Sequence, residues 1–140
     1  MTGPTHRLIA GCGAMLAGAS PAEALASALG GTLPDTVEVP GAKHRGVSHW
    51  PLPWGVLTLW LFHHGEPVAS LAGWFALGAL FHIGADLFTL GGVPLIVPWR
   101  RVRLGRLRTG RWGERVVSAA AVGVIGARLA AAVGPLAWPP

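Results

Sequence analysis

Apolar runs divide the chain into five pieces, at residues 8–19, 22–29, 54–62, 68–90 and 116–133. A helix that crosses a bilayer needs about 20 predominantly apolar residues, so only the last two are long enough to span. Ser20 reads as an N-cap, followed by Pro21 at the first helical position. Glu23 in the first turn suits the helix dipole, and Gly30-Gly31 ends that short helix. The first two pieces therefore form a bent or hairpin pair that returns the chain to the face it left. Pro-containing turns at Leu33-Pro34-Asp35, Val39-Pro40-Gly41 and Trp50-Pro51-Leu52-Pro53-Trp54 make 32–53 an irregular polar loop. Gly91-Gly92 breaks the long fourth piece, and 93–98 reads as an apolar interfacial loop. The pattern predicts an all-α fold: a small integral membrane helical protein with short half-spanning helices and two full spans, forming one domain over residues 1–140.

Composition supports the membrane reading. Of the 140 residues 51% are hydrophobic and only 12% charged, about half the usual charged share of a soluble domain, roughly 25%. Few charges are left to solvate a surface. One cysteine, Cys12, excludes an internal disulfide framework and any Cys-rich zinc module; it reads as a packing residue. Only residues 8–11 precede Cys12 as an apolar run, too short for a signal core of about 7–15 residues, and the N-terminal segment reads as retained. The net charge of +5 is concentrated in Arg100, Arg101, Arg103, Arg106, Arg108, Arg111 and Arg115. With apolar segments on both sides, that run reads as a cytoplasmic loop obeying the positive-inside rule, attracted to anionic head groups, more readily than as a nucleic-acid site. Trp50, Trp54, Trp60 and Trp99 suit the membrane interface.

Asp35 and Asp86 are the chain's two aspartates. Asp86 sits inside an apolar helix, where a charge costs about 2.5–3.5 kcal/mol on insertion scales. Something must compensate it. His82, four residues earlier, shares its helical face, and Thr89 follows three residues later. A His-x-x-x-Asp pair can present two ligands to one metal ion, or can simply be a buried hydrogen bond between helices. The polar loop adds Asp35, Glu38, His44 and His49, with Lys43 and Arg45 among them, and His6 stands at the mouth of the first helix. Imidazole and carboxylate together suit zinc, manganese or iron, whereas calcium and magnesium prefer oxygen.

Thr5-His6, Leu33-Pro34-Asp35, His44-Arg45-Gly46-Val47-Ser48-His49, His82-x-x-x-Asp86-x-x-Thr89, Gly91-Gly92 and Pro98 together resemble the YdjM-type, LexA-regulated membrane-bound metal-dependent hydrolases. The resemblance covers roughly residues 5–100, and its most specific stretch is His-Arg-Gly-x-Ser-His. That family is in turn similar to zinc-dependent phospholipase C and the related single-strand nucleases. Their ligand order is His, Asp, a His about 14 residues on, then His-x-x-x-Asp; His6, Asp35, His49, His82 and Asp86 follow it here. The resemblance implies one full site from Asp35, His49, His82 and Asp86, and a partial second site from His6 with Asp86 as the bridge. No histidine follows Asp86, so a third metal site is not implied. Five residues precede His6, so the N-terminal amine that ligates metal in the soluble relatives is not carried over.

The resemblance implies a metal-dependent hydrolase holding one or two divalent ions, zinc above all, and acting on a phosphoester such as a phospholipid head group. Asp35 or His44 would be the base, and Lys43 and Arg45 would steady the phosphate. The expected partners are membrane lipids and a small-molecule or lipid phosphoester. The expected address is the inner (plasma) membrane, multi-pass, with the arginine loop and the metal site on the cytoplasmic side. Two other classes stay open: a non-enzymatic membrane protein with a structural metal or polar cluster, and a membrane-tethered nuclease gripping phosphates with its arginines.

Overall fold

A computed structural model describes residues 1–37, 46–65 and 67–133, with the side chains of 132 and 133 left aside. Helix α1 covers Gly3–Leu16 and α2 covers Pro21–Gly30, with a turn between them. Ser20 caps α2 as its sequence suggests, and Glu23, the third helical residue, reaches back to the Ser20 amide at 2.8 Å to complete a capping box. A four-residue helix α3 follows at Leu33–Thr36, so the polar loop is helical where it carries Asp35. A single 3-10 turn at Val47–His49 leads into α4, Pro51–His64. Gly65 closes α4 at φ 68°, in the left-handed region, and α5 runs back over Pro67–Leu87.

Helix α5 is the centre of the fold, with α1, α2 and α4 packed around it and α6, Trp112–Val133, lying along α1. It is the one described helix shown to be long and apolar enough to cross a membrane. Glycines set how close its neighbours come. A Cβ at Gly78 would stand 2.0 Å from the Ser27 carbonyl oxygen of α2, and one at Gly73 would enter the Phe62 ring of α4. Gly84, also on α5, faces open space, with nothing within 4 Å of a Cβ. On α1, His6, Ala10 and Ala14 follow one another at i, i+4 and i+8 and are fully buried, which puts His6 at the end of the stripe that meets α5.

The arginine segment differs from the helix-and-loop expectation. Val93–Pro94 pairs antiparallel with Arg101–Val102, a short hairpin of strands β1 and β2. Its return leg then covers the end of α5: the Leu104 and Leu107 amides donate to the Leu87 and Phe88 carbonyls at 2.8 and 3.0 Å. Helix ends leave their last carbonyls unsatisfied, and this segment supplies the donors. A Cβ at Gly105 would stand 2.3 Å from the Phe88 oxygen, so glycine permits that approach. β1 is buried against α5 and the 3-10 turn, while Arg100, Arg103, Arg106 and Arg108 are exposed.

Candidate metal centre

Five side chains from four elements meet at the end of α5. His6 comes from α1, Asp35 from α3, His49 from the 3-10 turn, and His82 with Asp86 from α5. His6, His49, His82 and Asp86 are fully buried, and Asp35 is one-third exposed. His49 Nε2 lies 3.2 Å from Asp35 Oδ1 and 3.8 Å from Asp86 Oδ2. His82 Nε2 lies 3.6 Å from each of the same two oxygens and 3.3 Å from His49 Nε2. Ligands held about 2.0–2.2 Å from a tetrahedral zinc stand about 3.3–3.6 Å apart, so Asp35, His49 and His82 are spaced as three donors to one ion would be, with Asp86 Oδ2 beside both imidazoles.

The ring of His82 is oriented from behind. Its Nδ1 lies 2.7 Å from the Gly31 carbonyl. A carbonyl only accepts, so Nδ1 carries the proton and Nε2 turns a lone pair toward Asp35, His49 and Asp86. A second partner on the far nitrogen is the usual arrangement for a metal-binding histidine. The Gly31 carbonyl reaches His82 because Gly78 lets α2 close on α5. His49 is positioned by its turn, which Trp54 holds through an indole Nε1 donating to the Ser48 carbonyl at 2.8 Å. The imidazole of His49 hydrogen-bonds Asp35 and, with burial opposing it, holds that carboxyl below its ordinary range; the nearby histidines add to the effect.

Asp86 faces two ways. Oδ2 looks to His49 and His82, while Oδ1 lies 3.5 Å from His6 Nε2 and accepts from the Met1 amino group at 2.9 Å. The amino group thus meets the cluster despite the five residues ahead of His6, because the first turn of α1 begins beside the end of α5. His6 stacks on His82 with ring centroids 3.6 Å apart. Neither of its ring nitrogens makes a hydrogen bond among the described residues, although the residue is fully buried. Such a group costs free energy unless something satisfies it. His6, His82 and Asp86 form a second potential ligand group beside that of Asp35, His49 and His82.

Glu38, Lys43, His44 and Arg45 lie outside the described residues, so the base and phosphate-binding expectations for the last three are not placed. Thr89 is buried, its hydroxyl donating to the Asp86 carbonyl at 2.8 Å. His63 and His64 end α4 as exposed residues, away from the cluster. Sequence reasoning passed over Glu114. Its buried carboxylate accepts from the Thr2 hydroxyl at 2.7 Å and from the Thr2 and Gly110 amides, tying α6 and the arginine segment to the start of α1. The signal was available, since Glu114 is the one acid beside seven arginines.

No curated protein and no solved structure matches the chain. A family model described as YdjM inner membrane protein matches residues 1–138. With nearly its whole length covered, the chain belongs to the YdjM inner membrane protein family.

Proposed function

We propose that the protein is a membrane-bound, zinc-dependent hydrolase of phosphoesters, with a phospholipid head group as the substrate class. The observation that carries the reading is the convergence of Asp35 Oδ1, His49 Nε2 and His82 Nε2 at separations of 3.2–3.6 Å, close to the spacing of donors around one tetrahedral ion, with Asp86 Oδ2 within 3.8 Å of both imidazoles. His6, with Asp86 as bridge, supplies a partial second site. A bound zinc would bring the pKa of a water toward about 7 and polarise a phosphoryl oxygen.

The chain's own residues do the rest. His82 is held by Gly31 and His49 by its turn, so two imidazoles stay fixed. Asp35, the one member of the cluster open to solvent, is placed to accept a proton from an entering water. His44 is the alternative base, with Lys43 and Arg45 taking the phosphate charge; all three lie in sequence between the ligands Asp35 and His49. Two spans, α5 and residues 116–133, hold the protein in the inner membrane. The arginine segment and the cluster lie at the same end of α5, on the cytoplasmic side by the positive-inside rule.

The test is metal analysis of the purified protein by mass spectrometry, followed by an assay of phosphate ester release from phospholipid. One or two zinc ions per chain and chelator-sensitive hydrolysis are expected. A second reading, a polar cluster that only holds helices together, is favoured by the Met1 amino group, which compensates the Asp86 charge without a metal. Protein free of metal and indifferent to chelator would establish that reading instead.

A further inference from the structure

Helix α6 packs along α1 but not along α5, which leaves a furrow between α5 and α6 with α1 as its floor. Near the metal centre the furrow holds about 460 Å³, bounded by Met1, Ile9, Phe81, Gly84, Leu107 and Val117. Farther along it continues as a space of about 290 Å³ that shares Ile9, Phe81 and Val117 and reaches Cys12 and Val124. From Val117 to Val124 the α6 wall rises about 10 Å at 1.5 Å per residue, which with the near end approaches one leaflet, about 15 Å of hydrocarbon. The lining is apolar throughout.

The near end has a different chemistry. Met1 lines the furrow and also sets its amino group on Asp86 at 2.9 Å. Leu107, held to the end of α5 by hydrogen bonds with Phe88 and Leu90, closes the mouth, and Arg106 and Arg108 are exposed on either side of it. An apolar channel of leaflet depth therefore opens at Leu107, whose sequence neighbours Arg106 and Arg108 are exposed, and at Met1, which touches the His/Asp cluster. We infer that the α5–α6 furrow seats one acyl chain of a phospholipid, whose phosphate lies beneath Arg106 and Arg108 and reaches the cluster past Met1. The inference rests on the hydrolase reading for what happens to that lipid, but not for its binding.

Lipid retention tests the furrow independently of catalysis. Protein in mild detergent is incubated with dioleoyl phosphatidylglycerol and examined by native mass spectrometry. The parent should hold one lipid per chain. In Gly84→Leu the new side chain enters the furrow from a position where a Cβ meets nothing within 4 Å, and retention should fall at least tenfold. Ala120→Phe, from an exposed position on the furrow's far wall, should do the same and covers the case in which Gly84→Leu fails to fold. Gly123→Leu, equally open but outside the furrow, should retain the lipid. Retention at the parental level in both furrow variants overturns the inference, whatever the hydrolysis assay gives. Retention lost in the furrow variants, with no product formed by the zinc-loaded parent, overturns the hydrolase reading and leaves the furrow standing.

Discussion

Gly78→Ala asks whether the approach of α2 to α5 sets the metal site. The added Cβ would lie 2.0 Å from the Ser27 carbonyl oxygen and 2.9 Å from the Gly31 amide nitrogen, where ordinary contact begins at 3.4 Å. Relief requires α2 to retreat locally by about 1.4 Å. The Gly31 carbonyl moves with it, and its 2.7 Å bond to His82 Nδ1 opens toward 4 Å, beyond hydrogen-bonding range. Losing the partner that orients a ligating histidine costs about 10–100-fold in metal affinity, or about 1.4–2.8 kcal/mol.

Intrinsic helix propensity works in the opposite direction, which makes the sign informative. Alanine in place of glycine inside a helix gains about 1 kcal/mol, whereas overpacking a tight contact costs about 1–3 kcal/mol. Gly84→Ala, with open space around it, should show only the gain. Gly78→Ala should show a net loss of stability together with weakened zinc binding. Zinc affinity is measured by competition with a chromophoric chelator, and stability by thermal unfolding in detergent. Equal zinc affinity in the two variants would refute the argument that Gly31 orients His82 for a metal.

Asp86→Asn should abolish zinc binding and hydrolysis while the protein still inserts; chelator should lower the unfolding temperature of the parent and leave the variant unchanged, because a ligand bound only to the folded state stabilises by mass action. Glu114→Gln tests the clamp on Thr2 and Gly110. Burial raises the Glu114 pKa, but the hydrogen bonds from Thr2 and Gly110 outweigh it and pull it to about 2, from an ordinary 4.5. Its contribution is therefore complete above pH 4.5 and lost as pH falls toward 2, so Gln should lower stability at neutral pH and flatten the unfolding profile across that window. Arg106→Cys should resist an impermeant thiol reagent added to intact cells and react in inverted vesicles; ready labelling from outside would reverse the topology.

Local signals were the legible ones. Ser20, Pro21 and Glu23 announce the start of α2 through bonds that close within three residues, and the spacing of His82 and Asp86 alone puts both on one face. Of the His and Asp residues named from sequence, His6, Asp35, His49, His82 and Asp86 are gathered by the fold, because an ionisable residue in so apolar a chain has few places to go; His44 lies outside the described residues. What escaped notice depends on partners far apart. Gly31 and His82 are separated by 51 positions, and Thr2 and Glu114 by 112, so no periodicity exposes either contact. The β1–β2 pair is two residues long on each side, too short for an alternating pattern to register. The three glycines of α5 cannot be told apart by sequence alone: helix contacts use Gly73 and Gly78, while Gly84 faces the furrow.

Charge balance joins the site to its setting. Asp35 and Asp86 bring two negative charges to the end of an apolar helix, with three histidines around them. Neutral imidazoles offer lone pairs and no compensation, and charging all three would place cationic rings 3.6 Å apart in the His6–His82 stack. The Met1 amino group on Asp86 offsets one of the two negative charges; a divalent cation would offset the other and accept the inward-turned nitrogens, at a depth where an uncompensated charge is costly. The same balance explains why the opening lies at Asp35, on α3, rather than at Asp86. Asp86 is enclosed by α1 and α5, whereas Asp35 stands on a four-residue helix at the edge of the bundle, where water can reach it. A charged lipid phosphate arriving from the furrow would meet the cluster from the Met1 side, and water from the Asp35 side.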